Sequence, residues 1–105
     1  MITVHYHRFD NNYKDVSLWT WAAEAESTPP DPEKKPAGWD NFGPYFEIEP
    51  SHYFTNKEQR VLGMIPRLHR DWRYKDGEDR FWTPDLGNEV WLLNDDPAIY
   101  TERPD

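Results

Sequence analysis

The stretch ITVHYHRFDNNYKDVSLWTWAA, residues 2–23, decides the fold. Its first part alternates, with Ile2, Val4 and Tyr6 on one side and Thr3, His5 and His7 on the other. Successive side chains of a strand point to opposite faces, so Ile2 to Arg8 reads as a half-buried strand. Asp10, Asn11 and Asn12 form a turn. Val16 to Ala23 is a second strand, with Trp19 and Trp21 on one face and Leu18 and Thr20 on the other. An L-W-x-W strand by itself serves a core more often than a surface. Here Val16 and Leu18 offer a buried side of their own, which frees the two tryptophans for the outer one.

The same kind of reading continues along the chain. Ser27 to Gly38 is rich in proline and charge and reads as a long exposed loop. Tyr45 to Glu49 is a third strand, ended by Pro50, and Ser51 to Arg60 is polar and turn-like. Val61 to Leu68 is a fourth strand, whose Pro66 argues for an edge or a bulge. Asp71 to Asp79 is a charged loop carrying Trp72 and Tyr74. Phe81 and Trp82 open a fifth strand, Glu89 to Leu93 is a sixth, Asp95-Asp96-Pro97 turns, and Ala98 to Glu102 is the last. About seven short strands at this spacing predict an all-β fold, a β-sandwich. No segment has the pattern of an amphipathic helix of ten or more residues.

With 105 residues the chain fits one domain with a modest core. Aromatic residues make up 16% of it, more rings than so small a core needs, so some belong on the surface. Acidic residues outnumber basic ones by 20 to 12, a net charge of −8. That argues against nucleic acid and against anionic membrane surfaces, both of which need concentrated positive charge. A neutral ligand is compatible with it. There are no cysteines, which excludes disulfides and thiolate chemistry. The sequence carries no signal peptide pattern and no apolar run of membrane length. It opens on Met1 and enters a strand at once, as a module cut from a longer protein would.

The motifs then point to a family. Val4-His5-Tyr6-His7-Arg8, the Asp/Asn-rich turn and Leu18-Trp19-Thr20-Trp21 resemble the opening of the family 41 carbohydrate-binding modules. These modules stand at the N-termini of bacterial pullulanases and related enzymes that degrade α-glucans. Gly38, Asp40, Phe42, Gly43 and Tyr45 resemble the family's G-x-D-x-F-G-x-Y stretch. Trp72, Lys75, Asp76, Asp79, Arg80 and Phe81 resemble its W-x-x-K-D…D-R-F stretch, and the segment with Trp91 its closing hairpin. Two positions depart: Pro66 replaces an apolar strand residue, and Gly77-Glu78 is a short spacer. The resemblance implies an antiparallel, immunoglobulin-like β-sandwich that binds α-1,4-linked glucans as a non-catalytic monomer. It also implies a secreted or cell-surface setting, beside an attached catalytic domain. Carried over, the ligand contacts are Trp19, Trp21, Trp72, Lys75 and Asp79, with Asp76 as a further acceptor. His5 would border the site if its strand lies beside that of Trp19 and Trp21.

These residue types suit a sugar. Residues i and i+2 of a strand stand about 7 Å apart on one face, so Trp19 and Trp21 can form one aromatic surface. The C–H faces of glucose pack on indole, a large ring with few rotatable bonds to freeze. Strand twist sets neighbouring rings at an angle, as a curved α-1,4-glucan requires. Lys75 as donor and Asp79 as acceptor can read adjacent hydroxyls, in a loop that Gly77 allows to turn. Trp39, Trp82 and Trp91 are assigned to the core or to structural packing.

The bland alternatives remain. Lys75 and Asp79 alone read as a solvated charge run. His5-x-His7 is a pair that can bind zinc, but no further ligand has the required spacing, so no metal or cofactor is expected. A glycosidase needs two carboxylates set across a cleft, and nothing singles out such a pair. No nucleophile elbow, phosphate loop or dinucleotide fingerprint is present. Catalysis is therefore not expected. The competing reading is a structural or protein-interaction sandwich whose surface tryptophans meet another domain.

Overall fold

The computed structural model describes residues 1–23, 32–54 and 61–104. Among these it forms nine strands: β1 (Ile2–His7), β2 (Ser17–Ala22), β3 (Glu33–Lys34), β4 (Gly38–Trp39), β5 (Pro44–Ile48), β6 (Leu62–Arg67), β7 (Arg80–Trp82), β8 (Glu89–Leu93) and β9 (Asp96–Tyr100). One sheet has the order β4-β5-β1-β8-β9 and the other β3-β2-β6-β7. The alternation read from the sequence supplies the core between them. Ile2, Val4 and Tyr6 of β1 meet Leu18 and Ala22 of β2, Leu62 and Met64 of β6, Phe46, Ile48, Val90, Leu92 and Trp82. The β-sandwich expected from strand spacing is thus the fold found.

Several details differ from the sequence reading. The sandwich is not wholly antiparallel, because β1 and β8 run parallel from Thr3↔Glu89 to His7↔Leu93. A parallel pair needs a long crossover, and here most of the chain supplies it. The expected exposed loop over residues 27–38 carries the short strand β3, paired to β2 through Leu18↔Lys34 and Trp19↔Glu33. It runs into β4, which pairs with β5. Residues 24–31, which include the first part of that loop, and 55–60 of the polar stretch lie outside the described residues. The last strand starts two residues earlier than expected, because Asn94 and Asp95 make the turn.

Pro66 is neither at an edge nor in a bulge. It is buried in β6, which lies between β2 and β7, and stands opposite Leu18. The reason is that β7 pairs only with Leu62 to Met64. Past Met64 the neighbour is a loop, where the Asp76 N–H donates to the Pro66 carbonyl at 2.8 Å. The nitrogen and carbonyl of one strand residue point to the same side, so the missing N–H faces a place where no ladder partner is needed.

One polar cluster is buried within the apolar core. Arg80 is 1% exposed and Asp76 3%. Their side chains form an ion pair at 3.5 Å. The guanidinium also donates to the carbonyls of Asp76, Glu78, Leu93 and Asp96. Asp76 accepts from the Tyr6 hydroxyl, the Asn94 amide and the Asp95 N–H. Asp76 and Arg80 therefore join β1, β7 and the β8–β9 turn. Burial, followed by the Asp76 carboxylate, pushes the Tyr6 phenol well above its ordinary value of 10.0. The folded state keeps that proton where the unfolded chain loses it, so this part of the stability is full below pH 10 and falls above it. Tyr6→Phe leaves Asp76 one donor short and should cost about 1–3 kcal/mol at neutral pH. In urea unfolding at pH 7 and pH 11 the variant should also lose less between the two than the wild type does. Equal alkaline losses would contradict this account of Tyr6.

Candidate functional site

The outer face of the β3-β2-β6-β7 sheet is aromatic. Alternation turns Leu18, Thr20 and Ala22 inward and leaves Ser17, Trp19 and Trp21 outside. The register pairs Trp19 with Ile65 and Trp21 with Gly63. Ile65 is 1% exposed yet lies outside the core cluster, on the side of the tryptophans. Gly63 provides the bed for Trp21. A Cβ there would stand 2.1 Å from Trp21 Cε2, so any side chain lifts the indole off the sheet. Phe81, opposite Gly63 on β7 and 51% exposed, meets the Trp21 ring edge-on at 6.3 Å.

Trp72 reaches this face from the loop before β7. Asp71 caps a single 3-10 turn over Trp72–Tyr74 by accepting from the Arg73 N–H. The Trp72 ring stands 5.3 Å from that of Trp19, at 71° to it. Arg67 packs against both, its guanidinium carbon 4.6 Å from the Trp72 ring centre and 5.0 Å from that of Trp19. Glu33 on the edge strand holds Arg67 by an ion pair at 3.2 Å. A cation over two indole faces, 6% exposed and tied to a carboxylate, fixes the angle between the rings. The sequence reading missed Arg67 and Glu33. Alternation from Gly63 through Ile65 would have put Arg67 outside, but its meeting with Trp72 depends on the fold of a loop.

The other expected site residues divide. Lys75 and Asp79 are exposed, and their side chains bond no other described residue. A backbone bridge to Arg67 sets Lys75 beside the end of β6, the strand next to the tryptophans' β2. Lys75 lines a surface cleft with Arg8, Asp10, Tyr74 and Asp95. Gly77, at φ 63°, makes the turn between Lys75 and Asp79 as expected. Asp76 is buried with both oxygens engaged by the protein, so its role is structural. His5 does not adjoin Trp19 and Trp21, because β1 and β2 belong to different sheets. It lies on the opposite outer face, stacked on Trp91 at 5.1 Å and 10°, with Glu89 at 2.8 Å and Asp40 at 3.3 Å. His7 donates to the Phe42 carbonyl at 2.7 Å. Among the described residues no three His, Asp or Glu side chains gather as a metal set. Of the tryptophans assigned to packing, Trp82 is in the core and Trp91 is a surface stack. Trp39 corrects that assignment, being 57% exposed. Short strand β4 at the sheet edge gives it no opposing layer to enter.

The family model of the bacterial pullanase-associated domain matches residues 1–101. The chain belongs to this family. Solved structures agree on the fold. The pullanase-associated domain superposes with TM-score 0.65 and 23% identity on the pneumococcal multi-modular glycogen-degrading virulence factor SpuA. It covers 95% of this chain and 10% of that one. A structure of family 41 carbohydrate-binding modules from streptococcal virulence factors, described as recognising α-glucan, gives 0.65 at 15% identity, covering 95% and 46%. A family 41 module, CBMd of Eubacterium rectale Amy13K, gives 0.57 at 19% identity, covering 98% and 94%. The chain thus spans only a tenth of the first of these and under half of the second. The resemblance drawn from the V-H-Y-H-R and L-W-x-W motifs is borne out.

The bed under Trp21 is open to test. Gly63→Ala should leave the far-UV circular dichroism intact but change the near-UV tryptophan bands. Overpacking of this kind should also cost about 1–3 kcal/mol. An unchanged near-UV spectrum would show that Trp21 does not rest on Gly63.

Proposed function

We propose that this domain binds α-glucans such as pullulan, amylose, amylopectin and glycogen, without catalysing their cleavage. The observation that carries the reading is the pair of indoles at 71°, Trp19 and Trp72, with Trp21 on the same face. Flat rings at an angle fit successive glucose units of a chain that curves, whereas a straight chain calls for coplanar rings. The rings need little ordering on binding, since Arg67 and Gly63 already hold them. Each indole beside Arg67 spends one face on the cation, and a sugar can use the other.

Lys75 and Asp79 are the hydroxyl-reading pair in this proposal. Both charges are free to form charge-assisted hydrogen bonds, each contributing about 1.5–3 kcal/mol when desolvated. The family's association with pullulanases supports a further step. The domain tethers an attached glycoside hydrolase to its polymer outside the cell and raises the local concentration of substrate. It works as a monomer, because one chain, through β2 and the loop before β7, provides every ring of the platform.

Affinity electrophoresis in gels with and without pullulan, amylopectin or glycogen tests the reading. The wild-type domain should be retarded. Trp19→Ala and Trp21→Ala should each weaken binding more than tenfold while remaining folded, and Asp79→Asn should weaken it less. Unchanged wild-type mobility in all three polymers would favour a protein-interaction surface instead. A folded Trp19→Ala variant with normal retardation would overturn the site.

A further inference from the structure

A second exposed indole lies outside the platform. Trp39 borders a cleft of about 400 Å³ that is also lined by Tyr13, Asp15, Ser17, Lys35 and Arg70. That volume lies in the lower part of the range for small-ligand sites. The ring is held rather than loose. Its backbone pairs with Pro44 across β4 and β5, and Tyr13 meets it edge-on at 5.4 Å and 83°. Tyr13 is fixed in turn, its hydroxyl accepting from the Arg8 N–H at 2.8 Å and its ring set against Tyr6. An indole fixed from below and open above has the properties of a stacking surface.

The polar groups around it indicate the chemistry of the ligand. Lys35 and Arg70 donate, Asp15 accepts, and both signs are present. An anion would call for donors alone, whereas a neutral polyhydroxylated ring uses both kinds. Ser17 is 1% exposed, and its Oγ has no hydrogen-bond partner. A buried hydroxyl is normally paired, so this one is an orphan beside the cleft, covered in the free domain.

The cleft also adjoins the platform. Ser17 and Trp19 are two residues apart on the outer face of β2, roughly 7 Å along the strand. Glu33, which holds Arg67 against Trp19 and Trp72, is 3.9 Å from Arg70 in the cleft. We propose that the Trp39 cleft is a further glucosyl subsite, continuing the platform past Trp19, so that a long α-glucan engages both. This rests on the α-glucan reading of the platform and adds to it a dependence on chain length.

Calorimetric titration with maltotriose and maltoheptaose tests it, using the wild type, Trp39→Ala, Lys35→Ala and Trp19→Ala. Trp39 is outside the core, so its variant should keep the wild-type thermal midpoint. The expected result is a maltotriose affinity within twofold of the wild type for Trp39→Ala, with maltoheptaose weakened at least fivefold. Lys35→Ala should show the same split, less strongly, and gives the answer if Trp39→Ala fails to fold. Trp19→Ala should weaken both sugars. Maltoheptaose binding unaffected by both Trp39→Ala and Lys35→Ala, with Trp19→Ala still damaging, would overturn the subsite and leave the platform standing. Equal weakening of both sugars by Trp39→Ala would also overturn it, by making Trp39 part of the platform. A wild type that binds neither sugar would overturn the α-glucan reading itself.

Discussion

The buried pair of Asp76 and Arg80 is the constraint on which the rest depends. Two charges taken out of water are costly unless each is fully hydrogen-bonded. Here four carbonyls accept from the two terminal guanidinium nitrogens, with only Nε left without a partner among the described residues, and the carboxylate accepts from a phenol, an amide and a backbone N–H. Those partners come from β1, from the loop before β7 and from the β8–β9 turn. Removing either charge would leave the other buried and unpaired, which is far more damaging than replacing both. The pair therefore specifies a geometry more than it adds stability. What it specifies is the path of the loop that carries Trp72 and Lys75, because Asp76 ends that path and its N–H is bonded to Pro66.

Both outer faces use the same packing device with different results. On one sheet Trp21 lies over Gly63, and on the other Tyr45 lies so close over Gly38 that a Cβ would be 2.2 Å from its hydroxyl. Glycine weakens a strand, and an aromatic ring laid across it from the neighbouring strand restores the lost burial. Around Tyr45 the surface is self-contained, since His5 covers Trp91 and both its nitrogens face carboxylates. Around Trp21 the neighbours are the ring edge of Phe81 and the tilted pair of Trp19 and Trp72. The first face has stacked its own rings against one another, and the second has rings to offer.

How much of this was legible in the sequence follows from the range of each interaction. The period-2 alternation of Ile2 to Arg8 and of Val16 to Ala23 is local, and it correctly gave the inward and outward sides of β1 and β2. The sheet to which each strand belongs is not local. Nothing in residues 2–23 says that β1 pairs with β5 and β8 while β2 pairs with β6, so His5 was expected beside the wrong tryptophans. The burial of Asp76, expected as a further acceptor, was hidden for the same reason. Among Lys75, Gly77, Glu78 and Asp79 it looks like one more solvated charge, and its burial depends on Tyr6 and Asn94, 70 and 18 residues away. Trp39 looked like core because large apolar rings usually are, and only the short reach of β4 leaves it outside.

Arg67 shows why an arginine serves at the centre of an aromatic face. A lysine could pair with Glu33, but its compact ammonium is strongly hydrated and has no plane to lay against a ring. The guanidinium is flat and weakly hydrated, so it can lie against two indoles while bonding a carboxylate at its edge. Its burial at 6% exposure is offset by the two ring faces and by the Glu33 carboxylate, although Nε has no hydrogen-bond partner of its own among the described residues. The consequence for Trp72 is larger than for Trp19. Trp19 is fixed by its strand whatever Arg67 does, whereas Trp72 stands on a single 3-10 turn with few other contacts. The angle between the two rings is thus set by a side chain that offers no ring of its own.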